Sequence, residues 1–190
     1  MENQEIANGR VRGRAWVGVT RGAHRLVAAD DPWRADLAAW QSVLPASATF
    51  TGLTAARTRG WWLPPLPEDL PVFVAVVTGR GHHDRAGLLL SRHPVQPAYD
   101  LLDGLRVATP AEALMACARV LGLLDLVVLV DAALHGGDCS AADLREAAAQ
   151  RRRGARLLRR ALDPTRQLRR LIAPPTRLLG VRSAAAAASR

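Results

Sequence analysis

Residues 61–67 read Trp-Trp-Leu-Pro-Pro-Leu-Pro, and this stretch limits the fold more than any other. Proline fixes φ and lacks a backbone N–H, so three prolines in four positions exclude both a helix and a central strand. We read the stretch as a rigid apolar connection whose tryptophans cover the core; a polyproline ligand for another domain is the alternative. Upstream, Asp30-Asp31-Pro32-Trp33 combines a capping carboxylate with a proline suited to the first helical turn. Trp33, Leu37, Trp40 and Leu44 then recur at helical spacing until Pro45. A second helix is expected over about 49–59, ended by Gly60. Before these, residues 15–27 read as a β-hairpin turning at Thr20-Arg21-Gly22, and residues 1–14 as disordered or loosely attached.

Downstream of the prolines the pattern changes. Residues 72–77 form a compact β-branched run, expected as a buried strand. Residues 88–92 form a second strand, expected to pair with it as a hairpin across the polar turn 79–85. Residues 105–107 make a short third strand. Thr109-Pro110-Ala111-Glu112 has the composition of a capping box and opens a helix through Leu114, Cys117, Ala118 and Leu121. Residues 123–134 fit a further helix or, by Leu and Val density, a buried strand. Ser140 to Asp143 cap a third helix to about residue 150, and a strongly basic fourth covers 151–162. From 165 the chain has six Arg, no acid and an Ala run, which reads as a disordered tail.

The chain has 190 residues, 49% of them hydrophobic, at a mean hydropathy of 0.00. One domain with small appendages is expected. Apolar runs such as 121–130 are interrupted by Gly122 and Asp125 and fall short of the ~20 residues a membrane span needs. The polar N-terminus has no signal-peptide core, so the expected location is the cytoplasm, away from membranes. Cys117 and Cys139 form no CxxC pair; Cys117 is expected in the core and Cys139 in an exposed loop.

Charge is distributed unevenly. Residues 1–144 hold 13 Arg against 15 acids, whereas 145–190 hold 13 Arg against two. Every basic residue is Arg. A GC-rich genome accounts for the absence of Lys but not for the asymmetry. Arg152, Arg153, Arg156, Arg159 and Arg160, interleaved with Leu157, Leu158 and Leu162, read as a positive helical face able to contact several phosphates. Arg10, Arg12, Arg14, Arg21 and Arg25 make the hairpin a basic wing that can lie along a phosphate backbone. His82-His83-Asp84 reads as a solvated turn, and Asp131 with His135, four apart, as a surface pair. No nucleophile elbow, phosphate loop or dinucleotide glycine pattern occurs, so catalytic residues, cofactors and metals are not expected.

Four segments carry a resemblance: Trp16-Val17-Gly18-Val19-Thr20-Arg21-Gly22-Ala23-His24-Arg25-Leu26; Thr51-Gly52-Leu53-Thr54-Ala55-Ala56 before Gly60-Trp61; Gly104-Leu105-Arg106-Val107-Ala108-Thr109-Pro110-Ala111-Glu112-Ala113-Leu114; and Asp131-Ala132-Ala133-Leu134-His135-Gly136-Gly137. With these in order the chain resembles the AbiEi-type antitoxins of type IV toxin–antitoxin systems, in the variants often fused to a Vsr-like (DUF559) endonuclease domain. The resemblance implies a winged helix that binds promoter DNA, an α/β domain used in antitoxicity, and DNA and a nucleotidyltransferase-like toxin as partners. The helix-turn-helix that would precede the wing is largely absent. Residues 163–190 carry one acid, Asp163, and no nuclease motif; they read either as a genuine tail or as a frame-shifted remnant of the nuclease region.

The resulting expectation is an α+β protein: a remnant wing hairpin (1–28), a mixed α/β domain with a small sheet and a C-terminal helical half (29–162), and a tail (163–190). Its expected function is that of a non-enzymatic, antitoxin-like regulator. Arg21, Arg25, Arg152, Arg153, Arg156, Arg159 and Arg160 are its candidate nucleic-acid contacts. The alternatives are an endonuclease-family protein that has lost its nuclease domain, or a plain interaction module.

Overall fold

The computed structural model describes residues 5–11, 13–67, 69–78 and 85–163. The turn bearing His82, His83 and Asp84, the wing residue Arg12 and the tail from 164 lie outside the described residues. The fold is α+β, with a three-stranded sheet, a five-stranded sheet and six helices among the described residues.

The hairpin forms as its sequence predicts, from β2 (Trp16–Thr20) and β3 (Ala23–Leu26), reversing at Gly22 with φ +83°. Among the described residues before it, Ile6–Asn8 are not loosely attached. They form β1 and pair antiparallel with β3, giving the order β1-β3-β2. Helix α1 (Pro32–Val43) packs on all three strands. Asp31 caps it by accepting from the Arg34 N–H at 3.0 Å, and Leu44, extended before Pro45, ends it. Arg25 on β3 donates to Asp36 on α1 at 2.6 Å. On the other side of α1, Gln41 donates to Gly104 O and accepts from Arg106 N–H, both at 2.9 Å. Packing is therefore continuous across residue 28.

The second sheet runs β6-β5-β4-β8-β7. Its members are β4 (Thr49–Phe50), β5 (Val72–Val77), β6 (Leu88–His93), β7 (Tyr99–Leu102) and β8 (Leu105–Ala108). Three sequence expectations are corrected here. Thr49 and Phe50 are strand rather than helix, because β5 and β8 bond to them from either side. Helix α2 (Gly52–Thr58) starts only after them. β5 and β6 are parallel, in register from Val72↔Leu88 to Val77↔His93, and are not a hairpin. The ten residues 78–87 are long enough, at ~3.3 Å each, to return the length of a six-residue strand. β7, absent from the sequence reading, pairs antiparallel with β8.

Helix α2 is the centre of the molecule: Arg57 is its only exposed residue. Gly52 has φ +53°, and a Cβ there would touch the Phe73 ring at 3.4 Å, so both the backbone and the space favour glycine. Thr54 Oγ1 accepts from Phe73 N–H at 2.8 Å, tying α2 to β5. In the proline-rich connection Trp61 is buried, but Trp62 is 69% exposed and does not cover the core. Leu63, Pro64, Leu66 and Pro67 instead wall a hollow of about 270 Å³ against Trp33 and Arg57, whose guanidinium lies 3.9 Å from the Trp33 ring centroid.

The C-terminal half is helical: α3 (Pro110–Cys117), α4 (Leu123–His135), α5 (Ala141–Ala149) and α6 (Ala155–Leu162). The Leu/Val-rich segment is a helix of 13 residues burying Leu126, Val127, Leu129, Val130 and Ala133. Ser140 and Asp143 form a reciprocal capping box at 3.1 and 2.9 Å. The Thr109 side chain, by contrast, makes no cap bond. No helix among the described residues is long and apolar enough to cross a membrane.

Candidate nucleic-acid interface

The basic segment does not form one helix from 151. Gln150 leaves α5 extended, and α6 begins only after Gly154, whose φ is +94°. Arg152 and Arg153 therefore sit in a turn. A Cβ on Gly154 would lie 2.6 Å from Met115 O and 3.2 Å from Ala118 Cβ. The α5–α6 turn is thus pressed against the end of α3, and only glycine fits there. Beyond it, Ala155, Leu158, Ala161 and Leu162 are buried and Arg156, Arg159 and Arg160 are exposed. Their i, i+3 and i, i+4 spacing puts the three guanidinium groups on one face.

The remaining predicted contacts divide. Arg153 is exposed. Arg152 is chelated by Glu112, Nη1 to Oε1 at 2.5 Å and Nη2 to Oε2 at 2.7 Å, and these bonds hold its pKa above the usual arginine value. Glu112, the expected capping-box partner of Thr109, is committed to this bidentate pair instead, because a charged fork is the stronger partner. Arg25 is also committed: besides Asp36 it donates to Leu26 O at 3.0 Å, and its side chain is only 18% exposed. Among the described residues, Arg152 and Arg25 thus each hold a carboxylate of the protein, unlike the other candidate contacts. Arg21 is exposed at the hairpin turn, and its carbonyl accepts from Arg85 Nη1 at 2.8 Å, which brings a second guanidinium to that tip.

Two adjoining hollows, which sequence reasoning missed, lie between β6, the end of α3 and the 152–154 turn. Both are lined by Thr51, Ala116, Arg119 and Arg153. The larger, about 420 Å³, has apolar walls from Phe73, Leu89, Leu90 and Val120. The smaller, about 280 Å³, is faced by Arg92, His93, Arg119, Arg152 and Arg153, with Glu112 as its carboxylate. His93 has its pKa lowered by burial and then by Arg119 and Arg152, against a small opposing pull from Glu112.

Among the described residues, no group of three or more His, Cys, Asp or Glu is placed to hold a metal ion. Burial pushes the Cys117 thiol up to about 12; burial, with Asp138 and Asp143, pushes Cys139 up to about 11. Both thiols are therefore protonated near neutrality and poor nucleophiles. Cys139 is half-buried, not exposed.

No family model matches the chain, and no curated protein matches it. Among solved structures it is similar to the RV2827C protein from Mycobacterium tuberculosis, with a TM-score of 0.53 and 20% sequence identity. The match covers 84% of this chain and 65% of that one, so this chain spans a little under two thirds of that protein's length. At that identity the likeness is one of fold.

Proposed function

We propose that the chain is a non-enzymatic, antitoxin-like regulator that binds nucleic acid. The observation that supports this reading is the outer face of α6, where Arg156, Arg159 and Arg160 are exposed beside Arg153. Three aligned guanidinium groups on a rigid helix match successive phosphates, and each phosphate contact releases condensed counterions. The exposed Arg21 and the Arg85 side chain gather two further guanidinium groups at the hairpin tip. In this reading, sequence preference comes from elements other than α6, because phosphate contacts position without specifying. The resemblance to AbiEi-type antitoxins adds a nucleotidyltransferase-like toxin as protein partner and the cytoplasm as location.

The test is fluorescence anisotropy on a duplex DNA at several salt concentrations. Wild type is expected to bind with a steep salt dependence. Replacing Arg156, Arg159 and Arg160 together by Gln is expected to weaken binding and to flatten the log–log salt slope by about three, near one per phosphate contact. An unchanged slope removes α6 from the interface, and no retardation of DNA by wild type at moderate salt removes the nucleic-acid reading.

A further inference from the structure

The groove beside β6 combines two chemistries that one class of ligand joins. Its smaller compartment is lined by Arg119 and Arg153 beside an Arg152–Glu112 pair in which the carboxylate is already engaged. That leaves an excess of positive charge over a low-dielectric wall, where a field is focused rather than dissipated. Arg119 and Arg153, which line both compartments, form no ion pair among the described residues. The adjoining compartment is lined by Phe73, Leu89, Leu90 and Val120, and Leu89 and Val120 stay 44% and 53% exposed. An anion alone would leave that apolar half unused, whereas an apolar ligand would leave the guanidinium groups unused.

We propose that this groove binds a nucleoside phosphate, with the phosphates between Arg119 and Arg153 and the base against Leu89, Leu90 and Val120. The guanidinium forks match phosphate oxygens. The compartment volumes lie within or near the ~300–1,000 Å³ of ordinary small-ligand sites. The site adjoins the α6 face through Arg153 but does not use Arg156, Arg159 or Arg160, which line neither compartment. The α6 triple variant therefore separates nucleotide binding from DNA binding.

Isothermal titration of the full chain with ADP tests it, with pyrophosphate and adenosine as half-ligand probes. ADP is expected to bind saturably at one site, pyrophosphate to bind more weakly and compete, and adenosine to bind weakest. Replacing Arg119 and Arg153 together by Gln is expected to cost roughly tenfold or more in ADP affinity. Leu89→Asp, at an exposed position that does not endanger the fold, is expected to weaken ADP more than pyrophosphate. The α6 triple variant is expected to keep ADP affinity. A flat ADP titration to ~5 mM overturns the proposal, being weaker than any useful site. So does ADP binding indifferent to both groove variants. Displacement of ADP by duplex DNA in the α6 triple variant would show that the groove takes nucleic acid rather than a free nucleotide, and would overturn it equally.

Discussion

Arginine does opposite work in two regions of this molecule. Through α1, α2 and the two sheets, Arg25 is held by Asp36, Arg34 by Asp31 and Asp103, and Arg106 by Ala48 O. Arg59 donates to Ala108 O and to Asp100 at 2.5 Å, lies 4.0 Å from Asp138, and leaves only 5% of its side chain exposed. Each of these groups joins two elements distant in sequence. Among the described residues of the C-terminal helical half, Arg152 is used that way, whereas Arg153, Arg156, Arg159 and Arg160 are exposed. A guanidinium that holds two elements together explains itself through stability. An aligned set exposed on one helical face is instead what the proposed phosphate contact rests on. The net charge of +9 cannot make this distinction, but the pairing does.

The contrast is sharpest where one residue sets the geometry of the open set. Gly154→Ala is expected to cost the most, about 3 kcal/mol, from a left-handed backbone and the contact with Met115 O. Chemical denaturation measures it, and near-wild-type stability would mean that the α5–α6 turn is not pinned to α3. Next comes Arg59→Gln, which strands Asp100 and leaves Asp138 with only its bond from Trp61 Nε1 among those described. Breaking a fully buried pair costs several kcal/mol, but Asp100 is 45% exposed, so about 2 kcal/mol is expected. Arg59→Lys is not expected to restore it, because one ammonium cannot reach Ala108 O and Asp100 with the geometry of a fork.

How much of this was readable beforehand depended on how local the cause was. The α1 start and the Ser140–Asp143 box are set within a few residues, and each formed where its pattern placed it, whereas residues 123–134 fitted helix and strand alike and became helix α4 only in the packed fold. The direction of β6, the two-residue β4 and the whole of β7 depend on neighbours across the sheet and left no local pattern. The candidate site was half visible for the same reason. Charge density located Arg156, Arg159 and Arg160. Nothing near Arg152 or Arg25 in sequence announces Glu112, 40 residues away, or Asp36, 11 away. The groove draws Arg92, Arg119 and Arg153 from three separate segments, so only the fold assembles it.

A direct comparison of the two regions uses matched neutral substitutions. Arg25→Gln is expected to cost about 1 kcal/mol, as its pair with Asp36 is only partly screened. The triple Gln variant of Arg156, Arg159 and Arg160 is expected to stay within about 0.5 kcal/mol of wild type, because it removes solvated charge from an exposed face. Equal losses for the two would dissolve the distinction between holding and open arginines. A stabilised triple variant would strengthen it, showing that the open set repels itself and is kept at a cost to folding.

The smallest expected effect concerns pH. His93 is faced by Arg119 and Arg152 and by the carboxylate of Glu112, with Arg92 and Arg153 on the same hollow and Ser91 Oγ at 3.2 Å. Burial first, and the two arginines second, lower its pKa below the unfolded value of about 6.5. Above that value both folded and unfolded chains carry a neutral ring, and His93 adds no pH dependence. As pH falls below it, the unfolded chain takes up a proton that the folded chain still refuses, so stability declines until the folded pKa is passed. His93→Asn is expected to flatten the decline between pH 7 and pH 5, read as a smaller difference between denaturation midpoints at the two values. An equal decline in both proteins would mean that neither burial nor the arginines lower the pKa of the ring. A steeper decline in wild type at low salt than at high salt would show that it feels them through solvent, and that the groove carries the excess positive charge on which anion binding depends.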